Sequence, residues 1–294
     1  MQTVTQAADL VSSPLDIVHG FKWQAEQKLF RSTGYFTLAN TFLSRNRGMN
    51  QAQLISNPQL REFLLSACML SKKSLGHLSK AEQDNLLITC INFTKINDPL
   101  YERELVNRYF LTSGDALGGV MRNAVGQAAQ NLLTNHILKY LQDNGYQVFI
   151  NKNKAQKITD LTWIENNEKR TIYFDKKPLF LGKSVDFIVT QGQGGNLGSI
   201  HNIDEVIACG ELKGGVDPAG ADEHWKTARS ALDRIAQVYT AQHKGIPELY
   251  FVGAAIEVSM SQEIFNDLRA GKLTGAANLM KINQLDEVVS LIVR

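Results

Sequence analysis

The chain reads as an α/β protein of the α+β kind, with a helical first part and a mixed central sheet flanked by helices in the second. Three observations predict this. Helix-type hydrophobic spacing behind proline-marked starts fills the first hundred-odd residues; short runs of β-formers succeed one another after Gly145; and helical spacing returns between the last of those runs, so that β and α elements alternate.

Ser13-Pro14 sets a capping residue before a proline at the first helical position, and Ile17, Val18, Phe21 and Ala25 follow at helical spacing. Pro58 opens a helix carrying Leu60, Phe63, Leu64 and Ala67, and Asn97-Asp98-Pro99 ends one helical stretch and starts another with Leu105 and Tyr109. Residues 1–112 are therefore expected to form a helical subdomain and 113–294 the second region. Ser113-Gly114-Asp115 is expected to precede a long buried helix marked by Leu117, Met121, Ala124, Ala128, Leu132 and Leu138 and stopped by Gly145. Strands are expected over 146–150, 158–164, 170–174, 185–189, 206–212 and 249–256, the last almost purely apolar and so buried on both faces. A helix from Asp222 carries Trp225, Ala228, Leu232 and Ile235. The glycine-rich stretch Gln191–Gly198 lacks the dinucleotide fingerprint and opens no helix, so it reads as a flexible connection and no nucleotide cofactor is expected.

With 31 basic and 29 acidic residues among 294, the net charge of +2 neither demands nor excludes a nucleic-acid partner, and clustering matters more. From Lys152 to Lys183 eight basic residues (Lys152, Lys154, Lys157, Lys169, Arg170, Lys176, Lys177, Lys183) face four acidic ones, which suits either a solvated surface or a phosphate contact. Cys68, Cys90 and Cys209 have no metal-type spacing and read as buried thiols of a reducing compartment. The N-terminus has no secretory pattern and no apolar run approaches a membrane span, so a cytoplasmic protein with no membrane contact is expected.

Chemistry concentrates in Cys209-Gly-Glu-Leu-Lys-Gly-Gly-Val-Asp-Pro-Ala-Gly-Ala-Asp-Glu-His-Trp-Lys226. Side chains two apart on a strand share a face, so Glu211 and Lys213 point the same way. Asp186 interrupts the β-formers Val185-Asp186-Phe187-Ile188-Val189, and a charge in such a strand needs a partner. If the two strands pair, both carboxylates reach one end of the sheet and can share a divalent ion. Mg²⁺, for which Mn²⁺ can substitute, takes one or two carboxylates together with substrate phosphate oxygens. Lys213 then stands where it can orient or deprotonate an attacking water and counter charge in the transition state. The alternative for the same three residues is a structural ion pair.

Val185-Asp186 followed by Gly210-Glu-Leu-Lys213 resembles the PD-(D/E)xK nuclease core, with valine where that family often has proline. The run from Gly210 to Ala228, the block Ser113-Gly-Asp-Ala-Leu-Gly-Gly-Val-Met-Arg-Asn123 and the block Val252-Gly-Ala-Ala-Ile-Glu257 are together similar to type II restriction endonucleases of the BsoBI and AvaI kind. The resemblance implies a restriction-endonuclease-like core with Asp186 and Glu211 as metal ligands and Lys213 as the catalytic lysine. It also implies that His224 lies near the scissile phosphate and assists the attacking water. Taken alone, His224 falls near a helix start, where the dipole favours a neutral imidazole, or where the ring merely packs.

Gly214, Gly215 and Gly220 are expected to allow unusual backbone or close approach to a bulky partner. Asp217 either accepts a hydrogen bond from a cytosine amine in the major groove or shapes the turn before Pro218. Arg122 and Asn123 either contact DNA or tie two subdomains together, and Lys183 is a further expected DNA contact.

The function expected is Mg²⁺-dependent hydrolysis of both strands of double-stranded DNA at a short palindrome, of the CYCGRG type by resemblance, leaving 5′-phosphates. Two-fold symmetry of such a site favours a homodimer, with the helical subdomain supplying dimer contacts or embracing the duplex. Two rivals share the residues. A repair or recombination nuclease that cuts by structure would give exonucleolytic ladders in place of discrete bands, and a non-catalytic DNA-binding module would ignore both magnesium and Glu211→Gln.

Overall fold

A computed structural model describes residues 1–294, which fall into two compact units, one of residues 22–123 and one of residues 1–21 with 124–294. The helical unit therefore differs from the expected 1–112 at both ends: the first 21 residues pack with the sheet, and the long helix that crosses position 112 is unbroken there. Ser12 Oγ donates to the Ala254 carbonyl (3.1 Å) and accepts from the Ile256 amide (2.9 Å), and Asn278 Nδ2 donates to both Leu10 O and Ser12 Oγ at 2.9 Å. These bonds join segments more than 240 residues apart in sequence, which no local pattern encodes.

The unit of residues 22–123 is helical. It contains most of α1 (Pro14–Arg45), then α2 (Gln51–Ser56), α3 (Pro58–Ala67), α4 (Lys72–Leu75), α5 (Lys80–Cys90) and the first half of α6 (Pro99–Asp143). Prolines begin α1, α3 and α6 as expected, and Asn57 caps α3 by accepting from the Gln59 and Leu60 amides. Its core includes Phe42 stacked on Phe63 (centroids 4.1 Å apart) with Leu60, Leu64, Leu105 and Tyr109 around them. The expected break at Ser113-Gly114 is absent, and α6 runs through it. The glycines there cost helix propensity, about 1 kcal/mol each. Buried residues on either side, Leu105 and Tyr109 before and Leu133, Ile137 and Leu141 after, keep the helix whole.

The other unit is a seven-stranded sheet with helices on both faces. The strands are β1 (Phe149–Lys152), β2 (Ile158–Glu165), β3 (Glu168–Lys176), β4 (Val185–Gln191), β5 (Val206–Lys213), β6 (Glu248–Gly253) and β7 (Gly275–Asn278), arranged in chain order. Neighbours from β1 to β5 are antiparallel, and β5, β6 and β7 are parallel, with α7 (Ala221–Ala241) and α8 (Val258–Arg269) as crossovers and α9 (Ile282–Val293) last. One face packs Ile188, Cys209 and Phe251 under Trp225, Leu232 and Ile235 of α7 and Met260 and Ile264 of α8. The opposite face packs Trp163, Phe187, Tyr250 and Val252 under Leu133 and Ile137 of α6 and Val288 and Ile292 of α9.

The expected strand at 146–150 lies later, because Gly145 takes φ +78° and the Tyr146 amide bonds back to Leu141 O (2.9 Å), closing the end of α6 before extension begins. The last apolar strand stops at Gly253, before the expected 256. The cysteines are all free; Cys209 is buried, while Cys68 and Cys90 are only half-buried. No helix is long and apolar enough to cross a membrane.

Candidate active site

The ladder between β4 and β5 ends with Phe187 opposite Gly210, one residue short of Asp186 on β4 and Glu211 on β5. Both carboxylates thus emerge at one sheet end, and Glu211 and Lys213 share a face of β5. Lys213 Nζ lies 2.7 Å from Glu211 Oε2 and 2.9 Å from Asp186 Oδ2, while the Leu212 amide donates to the same Asp186 oxygen at 2.8 Å. A main-chain donor that the sequence did not reveal therefore fixes the Asp186 rotamer.

The electrostatics are lopsided. Two carboxylates share one ammonium, and the side chains of Glu211, Lys213 and Asp186 are 5%, 20% and 32% exposed. Burial raises the Glu211 carboxyl to about 7, the Asp186 charge adds to the rise, and Lys213 offsets only part of it. Burial pulls the Lys213 ammonium down, but Asp186 and Glu211 outweigh it and hold the group above its ordinary value.

Both carboxylates face one point, since a single cationic atom touches each, and that is the arrangement that holds a hard cation. No group of three or more His, Cys, Asp or Glu side chains is placed to hold a metal ion. A zinc-type site is therefore not indicated, whereas two carboxylate oxygens suit a magnesium-like ion whose other ligands are water and phosphate.

The loop leaving β5 is held by contacts that glycine permits. A Cβ on Gly214 would stand 2.6 Å from Ala129 Cβ and 2.8 Å from Val125 O of α6, and one on Gly215 would stand 2.3 Å from His224 Cε1. Neither residue has positive φ, so close approach rather than left-handed backbone explains both, and Gly220 is not crowded. His224, half-buried in the second turn of α7, lays its ring against the Gly215 backbone two residues beyond Lys213 and makes no side-chain hydrogen bond. Its nitrogens are left free for another partner. Across the loop, Val216 presses on Gly20 of α1, where a Cβ would meet it at 2.7 Å.

Asp217 is exposed, and its Oδ1 accepts from the Ala219 amide (3.0 Å), capping the 3₁₀ turn Pro218–Gly220. One carboxylate oxygen shapes the turn, and the other makes no bond within the chain. Lys183 is exposed two residues before β4. Arg122 and Asn123 are exposed on α6 and are the last two residues of the helical unit.

The family model described as "Restriction endonuclease BsobI" matches residues 1–294. The chain is 34% identical over 301 residues to the type II restriction enzyme AvaI of a Nostoc species, covering 96% of this chain and 94% of the relative, and equally so to AvaI of Anabaena variabilis. It is 34% identical over 299 residues to the type II restriction enzyme BsoBI of Geobacillus stearothermophilus, covering 93% and 91%.

Proposed function

Because this chain belongs to the BsobI restriction endonuclease family, we propose that it is a type II restriction endonuclease, a site-specific endodeoxyribonuclease, with its active centre at Asp186, Glu211 and Lys213. The observation that carries the site is the convergence of two carboxylates on one ammonium at the open end of β4 and β5. With both carboxyls ionised, two acids and one base leave a net negative pocket, which suits a divalent cation better than a self-contained ion pair would.

Asp186 and Glu211 would hold Mg²⁺, which when bound supplies charge compensation and Lewis acidity at the scissile phosphate. The residues around it do the rest. Leu212 N–H keeps an Asp186 oxygen aimed into the site. Lys213, held protonated by two carboxylates, donates a hydrogen bond to the water that attacks and offsets charge building on the phosphoryl oxygens. His224, whose ring nitrogens have no partner in the chain, accepts a proton from that water or passes it outward. Water attack on phosphorus breaks the P–O3′ bond, leaving a 5′-phosphate and a 3′-hydroxyl. Asp217, Lys183, Arg122 and Asn123 would contact the duplex. One active centre cuts one strand, so both strands of a palindrome call for a homodimer.

Digestion of a sequenced plasmid with Mg²⁺ and with chelator, followed by end mapping, tests this reading. Discrete fragments with matching ends at a palindrome, seen only with the metal, are expected. A ladder, or no cleavage at any magnesium concentration, would sink it.

A further inference from the structure

Charge is segregated along the β1–β4 half of the sheet. At the end opposite the active centre, Glu165 and Glu168 of the β2–β3 turn stand with Lys169 and Arg170, two acids to two bases. At the end shared with Asp186 the balance is different. The pairs Phe174–Phe187 and Lys176–Val185 bracket Asp175 and Asp186, and Lys152 of β1 pairs with Ile158 at the start of β2. This end therefore gathers Lys152, Lys154, Lys157, Lys176, Lys177 and Lys183. The acids there are Asp186 of the active centre, already bonded by Lys213 and the Leu212 amide, and Asp160 and Asp175, which are also engaged. Asp160 is buried and bonded by Asn151 Nδ2 (2.6 Å) and Thr159 Oγ1 (2.8 Å), and Asp175 is paired with Lys157 (2.6 Å).

The hairpin carrying these lysines is held in place. Asn153 Oδ1 accepts from the Ala155 and Lys157 amides (2.9 and 3.1 Å), closing the β1–β2 turn. Asp175 takes the left-handed backbone (φ +52°), and its side chain pins the turn through Lys157. All four residues of β1 are exposed, and Lys152, Lys154, Lys177 and Lys183 are exposed without an acidic partner. Unpaired cations on an ordered ribbon beside a nuclease site have one complementary surface in reach of the substrate, the DNA backbone.

Resting on the endonuclease reading above, we infer that the β1–β2 hairpin and the end of β3 form a phosphate-binding ridge that holds the duplex to one side of the scissile bond. Three strand spacings separate β4 from β1, about 14 Å. At 3.4 Å per base pair that is a reach of roughly four base pairs. The ridge contacts backbone and not base edges, so it contributes affinity and register and no sequence preference.

The test is the salt dependence of binding to a fluorescently labelled duplex of mixed sequence with divalent ions withheld. Wild type is compared with the triple variant Lys152→Ala, Lys154→Ala, Lys177→Ala and with the matching triple Lys→Arg variant, their melting temperatures checked first. Each phosphate that is no longer neutralised lowers the slope of log K against log salt by about 0.9, so the alanine variant should fall by about 2–3 while the arginine variant keeps the wild-type slope. An alanine variant whose slope stays within about 0.5 of wild type, or an arginine variant that falls equally, overturns the ridge. If wild type cuts plasmid at discrete sites while the slopes are unchanged, the ridge alone is wrong. A wild type that binds no duplex overturns the ridge, and the endonuclease reading goes with it only if that protein also leaves plasmid uncut with magnesium.

Discussion

Two charge clusters in the sheet-bearing unit, each built around a buried carboxylate (Glu211 or Asp267), differ in stoichiometry. Around Arg229 on α7, Asp267 accepts from the guanidinium Nε (3.0 Å) and Nη2 (3.2 Å) and lies 3.4 Å from Lys272, and Glu263 accepts from Arg229 Nη1 (3.0 Å) and the Trp225 indole (2.9 Å). Two acids meet two bases and an aromatic N–H. At the end of β4 and β5, two acids meet Lys213 alone. A cluster that closes its own charge has a structural role; one left short of a cation is prepared to accept one from outside. Both contain carboxylates in regular elements beside basic residues, so the difference lies in the count and not in the residue types.

The largest expected effect breaks the open cluster. Glu211→Gln keeps the shape but removes one of the two charges proposed to hold the cation, and cleavage should fall by about 10³-fold or more, roughly 4 kcal/mol of barrier. Fragment yield against time at saturating magnesium measures it, and a decrease under about tenfold would return the triad to the structural class.

The next effect is on stability. The folded chain holds the Glu211 proton up to about pH 7, whereas an ordinary glutamate releases it at 4.5. A raised acid pKa means that the stabilising proton is fully present below 4.5 and lost as pH climbs to about 7, a decline worth about 3 kcal/mol. Urea unfolding without divalent ions should show this decline, and Glu211→Gln should flatten it. If Asp186 and Glu211 hold magnesium as proposed, the ion should restore stability on the alkaline side and do little on the acid side, because it would bind the ionised carboxylates. A wild-type profile flat across this interval would contradict the charge deficit.

The balanced cluster predicts the reverse. Arg229→Met strands two carboxylates and should cost about 2 kcal/mol, reduced from the fully buried case because the guanidinium is partly exposed and Lys272 remains. Denaturant midpoints report it. Cleavage per folded molecule should stay near wild type, since Arg229 touches nothing at the β4–β5 end.

How much of this was legible follows from how local each signal is. Pro14, Pro58 and Pro99 mark helix starts because capping and a fixed φ act within one turn. β7, Gly-Ala-Ala-Asn, gave no signal because it has no β-formers. It is a strand because small residues fit beside Tyr250 and Val288, where a Cβ on Gly275 would come within 3.0 and 3.3 Å. In the site, Asp186, Glu211 and Lys213 stood out as charges among β-formers, and the pairing of β4 with β5 was an inference from two apolar runs. The Leu212 amide bond, the Gly20–Val216 contact and the absence of a second base depend on segments far apart in the chain, and no spacing records them.

The smallest effect concerns the acid between the two cases. Asp217 spends one oxygen on the Ala219 amide and leaves the other exposed. Asparagine keeps a capping oxygen, so Asp217→Asn preserves the turn and should move stability by less than about 0.5 kcal/mol. It also removes the charge that would accept from a cytosine amine, and one base contact of that kind discriminates by about 1–3 kcal/mol. Cleavage at the mapped site should then fall roughly tenfold, with a smaller decrease at sites altered at the contacted base pair, a change in ratio that a turn residue cannot produce. If Asp217→Asn cuts like wild type and only Asp217→Ala is impaired, through its melting temperature, Asp217 belongs with Asp267 as an acid fully used by the fold.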